Sequence, residues 1–132
     1  MSQKRYSVQS SDAVAQTEIT SGTATTMQLL ISPEEAPDFA MRKFTMVPGG
    51  GMPKHTNQVE HEQYVLKGKA IIGIEDDTYE VKQGDVIFIP ARAPHWYKAH
   101  GEEDFEFICV VPNRRDEIEI LDESRAEFPP LD

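Results

Sequence analysis

Four side chains able to bind a metal ion fall in two short stretches of this chain. Gly49 to Gly68 reads GGGMPKHTNQVEHEQYVLKG and carries His55, Asn57 and His61 at offsets i, i+2 and i+6, and His95 follows in PARAPHWY. Side chains on a β-strand alternate between its faces, so even offsets send the first three to one side wherever the backbone is extended. Neutral imidazole is the commonest metal ligand, and buried polar rings need partners, so several imidazoles on one inner face imply an ion to hold. Three of them leave a divalent ion its full charge and leave positions open for water, dioxygen or a bidentate substrate, which suits Lewis-acid chemistry. Manganese, iron and nickel tolerate such a nitrogen and oxygen set, whereas copper and zinc bind imidazole more tightly and compete for it. The carboxamide of Asn57 is a weaker, harder donor than imidazole; it either takes a coordination position or holds a metal-bound water.

The elements that must position these groups read as short strands. Met27 to Ile31 (MQLLI) is apolar enough for a buried strand, and Phe39 to Val47 (FAMRKFTMV) is the next, closed by PGGG, whose glycines read as a flexible lip. From Glu62 onward come Gln63 to Leu66, Lys69 to Glu75, Thr78 to Val81, Val86 to Ile89, His95 to Ala99 and Phe105 to Val111, with KG, EDD, KQGD, PARAP and HGEED as turn signals in the gaps. Strands of this length and spacing, without helical periodicity, predict an all-β barrel or sandwich. An inward His61 carries Gln63 and Val65 inward with it and turns Glu60 and Glu62 away. Phe105, Phe107 and Cys109 likewise share a face. Trp96 and Tyr97 point opposite ways, so one of them enters the barrel beside His95, and Trp96 is expected to pack outside.

Composition narrows the function. The 132 residues suffice for one domain, and 13 basic against 23 acidic residues give a net charge of -10, which repels phosphate backbones and anionic membrane surfaces. Neither nucleic acid nor membrane is an expected partner. With no long apolar run and no secretory-type segment in the first 25 residues, the protein is expected to be soluble and cytoplasmic, and the single cysteine, Cys109, rules out an intrachain disulfide. Residues 1–24, rich in Ser, Thr and Gln, form an N-terminal strand or a flexible segment; residues 25–112 form the barrel; residues 113–132 form an acidic tail with seven acids and three bases, in which EIEIL could add an edge strand and FPPLD reads as a frayed end. No serine sits in a nucleophile elbow, and GGG leads into a strand rather than a phosphate-binding helix.

The spacing Gly49-x5-His55-x-Asn57-x3-His61-x6-Gly68 resembles the first motif of the cupins, and Gly84-x5-Pro90-x4-His95 resembles the second, with fifteen residues between Gly68 and Gly84 as in small single-domain microbial members. His61 stands where most cupins have Glu, which makes the chain similar to the monocupins that hold manganese with four histidines. Asn57 departs from that tetrad, and Arg92 stands where the second motif usually has glycine. The resemblance covers roughly residues 4–112 and implies a single cupin (double-stranded β-helix, jelly-roll) barrel. It also implies a divalent metal, manganese before iron, nickel, copper or zinc, on His55, Asn57, His61 and His95, with Gln63, Val65, Phe105, Phe107 and Cys109 around the substrate pocket. A homodimer and a small-molecule substrate are further expectations. The activity expected first is a metal-dependent oxygenase; a non-catalytic ligand- or metal-binding module, or a metal-assisted isomerase or decarboxylase, are the alternatives that the same barrel can host.

Overall fold

In the computed structural model, which describes residues 5–121, ten strands make one curled antiparallel sheet: β1 (Thr17–Glu18), β2 (Thr23–Ile31), β3 (Phe39–Thr56), β4 (His61–Lys67), β5 (Lys69–Ile74), β6 (Asp77–Lys82), β7 (Val86–Ile89), β8 (His95–His100), β9 (Phe105–Pro112) and β10 (Glu119–Ile120). The strand order is β6-β5-β8-β3-β9-β4-β7, with β1 added to β2, and both β2 and β10 added to β3. The all-β cupin barrel expected from the motifs is the fold observed. Among the described residues no helix is long and apolar enough to cross a membrane.

β3 is the spine of the barrel, and it corrects the expectation that a strand ends at PGGG. The chain continues as strand through Gly49 and Gly51, which take φ values of +90° and +155°. Glycine adopts such values without the steric penalty of a side chain. At Gly51 a Cβ would also lie 2.0 Å from the carbonyl oxygen of Tyr97, so close packing there needs its absence. The bend lets one strand serve both walls: its first half pairs with β2 and β9, and its second half pairs with β8 and β10. The glycines are therefore a corner in a continuous strand.

Register sets the inner surface. Arg42, Phe44 and Met46 of β3 face Cys109, Phe107 and Phe105 of β9, and Gln63 and Val65 of β4 face Cys109 and Phe107 from the other side. Strict alternation along β4 and β9 buries every second residue, as the period-two pattern requires. Phe105, Val65, Ile72 and Ile89 are almost fully buried and form the floor, while Phe107 and Met46, equally buried, also line the cavity above it. Aromatic stacking ties that floor together, with Phe107 centred 5.2 Å from Phe44, 5.3 Å from Tyr97 and 5.3 Å from Phe105. A buried Phe of this kind stabilises the fold by about 2–3 kcal/mol through burial alone. Trp96 packs on the other face, where its indole lies against Gly73, a position at which an added Cβ would fall 2.0 Å from the ring nitrogen.

Both chain ends of the described region are tied to the barrel. The Gln28 side chain donates from Nε2 to the carbonyls of Ser11 and Val14, each at 2.9 Å, which holds the turn at Ser11–Ala13 against β2. β10, from the EIEIL segment, pairs with the last turn of β3, setting Ile120 opposite His55. FPPLD lies outside the described residues.

Candidate metal centre

His55 and His95 are brought together by the sheet itself, being direct partners across β3 and β8. Their ring centroids are 4.2 Å apart, and His61, at the start of β4, is centred 5.5 Å from His95. All three rings are buried and line one cavity of about 350 Å³ together with Asn57, Gln63, Tyr97, Phe107 and Cys109. Val65 and Phe105, expected beside them, are buried in the floor and are not part of the cavity wall. His100 lies apart from the cavity, 2.9 Å from the Glu80 carboxylate.

The backbone decides which ring nitrogen is available. His55 Nδ1 lies 2.7 Å from the carbonyl of Pro53, and His95 Nδ1 lies 2.9 Å from that of Ala93. A carbonyl oxygen only accepts, so each Nδ1 carries the hydrogen and each Nε2 keeps a free lone pair. This is the tautomer that a metal-binding histidine needs, fixed by a partner behind the ring. His61 is held differently. Its Nδ1 is 3.4 Å from Arg42 Nη2, a group that can only donate, and its Nε2 is 3.0 Å from Asn57 Oδ1. Asn57 also donates from Nδ2 to Asp116 at 3.1 Å. As the side chains are turned, no three His, Cys, Asp or Glu among the described residues stand in ion-holding geometry. The His61–Asn57 hydrogen bond is the contact that an ion bound to His61 Nε2 would replace.

Burial keeps these rings neutral. Desolvation is the first cause of the lowered pKa at each: His61 falls from 6.5 to about 3 with the Arg42 guanidinium adding to the effect, His95 falls to about 3 with His55 beside it, and His55 is lowered despite opposing help from Pro53 and Asp116. Neutral imidazole is the form that binds metal, so the donor set fits a divalent ion. A residue of the same cavity wall has an unused acceptor. Gln63 gives Nε2 to the Tyr97 hydroxyl at 2.7 Å, and its Oε1, fully buried, has no partner. Burial also raises the Tyr97 pKa, so the phenol stays protonated.

Several cavity residues were not expected from the sequence, among them Arg42, Asp116 and Ile118. Arg42 had a signal: Phe44 and Met46 are inward on the same strand, and period two carries Arg42 inward with them. Asp116 and Ile118 had none, because they belong to the acidic segment that composition alone marks as solvated, yet both line the cavity mouth. Arg92 stays out of the cavity wall. It occupies the second motif's glycine position with φ +70°, the conformation glycine takes most easily, and its amide donates to the carbonyl of Asn57 at 2.8 Å.

Residues 42–111 match the cupin domain family. The chain belongs to that family. Among solved structures, this cupin is similar to the polyketide cyclase RemF of Streptomyces resistomycificus, at 28% identity and a TM-score of 0.80 over 92% of this chain and 90% of that one. It also resembles 1-methylthio-D-xylulose 5-phosphate methylsulfurylase of Rhodospirillum rubrum, 27% identical over 84 residues that make up 64% of this chain and 54% of that protein. Acireductone dioxygenase of an Enterobacter species is 28% identical over 64 residues, 46% of this cupin and 36% of the relative. The cupin spans about half or less of the length of the curated relatives it matches.

Two outcomes follow from this site. In protein freed of metal by a chelator, folding stability is expected to fall as pH is lowered from 6.5 toward 3, by about 1 kcal/mol per pH unit for each of His61 and His95. The sign is set by the unfolded chain, which takes up protons near 6.5 while the folded rings resist them until about 3. Denaturation midpoints recorded across that window should slope accordingly and flatten in His95→Gln; an equal slope in that variant would contradict the burial assignment. Replacing Asn57 with His should tighten metal retention during dialysis against chelator, since imidazole is the stronger donor at a position facing the rings. Unchanged retention, read by elemental analysis, would place Asn57 outside the coordination sphere.

Proposed function

We propose that this cupin is a metal-dependent enzyme acting on a small organic molecule, with oxygenation as its reaction. The observation that carries the reading is the pinning of His55 and His95 by backbone carbonyls, which aims two neutral Nε2 lone pairs away from their Nδ1 partners in a cavity lined in part by aromatic rings. His55, His61 and His95 would hold the ion, with Asn57 or a water as a further donor. Manganese is favoured by the resemblance to four-histidine monocupins, and the bound ion would supply Lewis acidity and open positions for substrate oxygen.

The surrounding residues suit that role. Phe44, Phe107 and Met46 make an apolar wall that limits water, which strengthens every polar contact inside. Tyr97 accepts from Gln63 and stays protonated, so its hydroxyl hydrogen remains for a substrate oxygen. Among the described residues no acid and base pair faces the rings from the cavity wall, and the rate would come from positioning and charge stabilisation.

The similarity to acireductone dioxygenase supports oxygenation. A second reading, a redox-neutral cyclisation or isomerisation, is favoured by the end-to-end likeness to RemF. The proposal includes a homodimer, supported by Tyr64, Val86 and Phe88, which leave an apolar outer face beside the sheet edge at β7. A solution mass of one chain would contradict it.

An oxygen electrode separates the reactions. Protein loaded with manganese or iron is expected to consume dioxygen when supplied with a panel of small enolisable ketones and keto acids. Product formed without oxygen uptake would establish the redox-neutral reading instead, and absence of turnover across such a panel would leave a binding module.

A further inference from the structure

Among the described residues, Arg42 is a charge without a counter-charge. Its side chain stands in the cavity wall, opposite Cys109 in the sheet register, in the inward row that it shares with Phe44 and Met46. Among the described residues no carboxylate lies within ion-pair distance of it, although the chain has 23 acidic residues. What surrounds the guanidinium is weak: Cys109 Sγ at 3.3 Å and His61 Nδ1 at 3.4 Å from Nη2, and the ring of Phe44 centred 5.1 Å from Cζ. Its Nε is buried and has no hydrogen-bond partner among the described residues.

Arg42 is half-buried, so its guanidinium is partly desolvated with no carboxylate to offset the loss, a cost that a thioether or alkyl side chain of similar volume would not carry. The carboxylate on the cavity wall among the described residues, Asp116, is engaged with Asn57 and Gln58 at the mouth. Arginine is also the side chain whose planar donors match a carboxylate.

We propose that Arg42 is the anion-binding residue of the cavity and that the substrate is a small organic acid, its carboxylate seated against the guanidinium and its apolar remainder against Phe44 and Phe107. The inference rests on the reading of the cavity as a substrate site and deepens it by naming the class of substrate. The cavity volume of about 350 Å³ lies in the range of small-molecule sites. The position of Arg42 against His61 would bring that carboxylate beside the histidine cluster, with one end of the substrate fixed and the other free to be oriented.

The test uses benzoate and its neutral isostere benzamide as probes, titrated by calorimetry into the protein as purified. Wild type should bind benzoate at least tenfold more tightly than benzamide. Arg42→Gln should lose that preference while keeping its affinity for benzamide, and Arg42→Lys should retain part of it, as a point charge replaces a planar fork. Arg42→Met should melt at or above the wild-type temperature while binding benzoate no better than benzamide, an outcome opposite to that of an arginine kept for structure. Equal binding of the two probes by wild type, or a benzoate preference that survives Arg42→Gln or Arg42→Met, would overturn the role of Arg42 and leave the cavity as a neutral substrate site. Failure of wild type to bind either probe would instead overturn the reading of the cavity itself, and the inference with it.

Discussion

Three imidazoles stripped of water and held neutral set the terms for the rest of this molecule. A buried ring that kept a free choice of tautomer would have no fixed direction for its lone pair. The carbonyls of Pro53 and Ala93 remove that choice for His55 and His95, each from two residues earlier in the chain. The two histidines so held pair with one another across β3 and β8. The glycine corner in β3 makes the pairing possible, since without it the strand that closes one wall against β9 could not reach β8. Backbone geometry, ring tautomer and cavity chemistry are thus one linked arrangement.

Charge inside the cavity is sparse and arranged by depth. The chain carries a formal -10, yet among the described residues the wall around the rings holds a single carboxylate, Asp116, contributed at the mouth by the segment leading into β10. It favours the charged form of His55 only weakly against desolvation. Arg42 on the opposite side pushes His61 toward neutrality. A divalent cation and an anionic ligand would balance each other in such a space, where an unpaired charge of either sign is expensive.

Most of the barrel was legible from residue types because a half-buried strand writes itself in period two. His61, Gln63 and Val65 alternate with Glu62, Tyr64 and Leu66, and the structure buries the first set and exposes or half-exposes the second. The glycine corner was misread, since PGGG carries a turn signature and nothing local says that a strand can pass through it. The two-residue alternation also does not tell depth: Val65 and Phe105 are inward but sit in the floor, whereas Gln63, Phe107 and Cys109 reach the cavity. Asp116 was invisible for a different reason. Its place at the mouth depends on β10 pairing with the end of β3, a long-range contact that an acidic composition argues against.

The most direct test is an anomalous difference map from crystals of the protein grown with manganese and without chelator. The expected result is one peak in the cavity, roughly 2.0–2.3 Å from Nε2 of His55, His61 and His95, with the His61–Asn57 hydrogen bond broken. Crystals that show no peak there, with His61 still bonded to Asn57 at saturating metal, would contradict a metal centre built from these three rings.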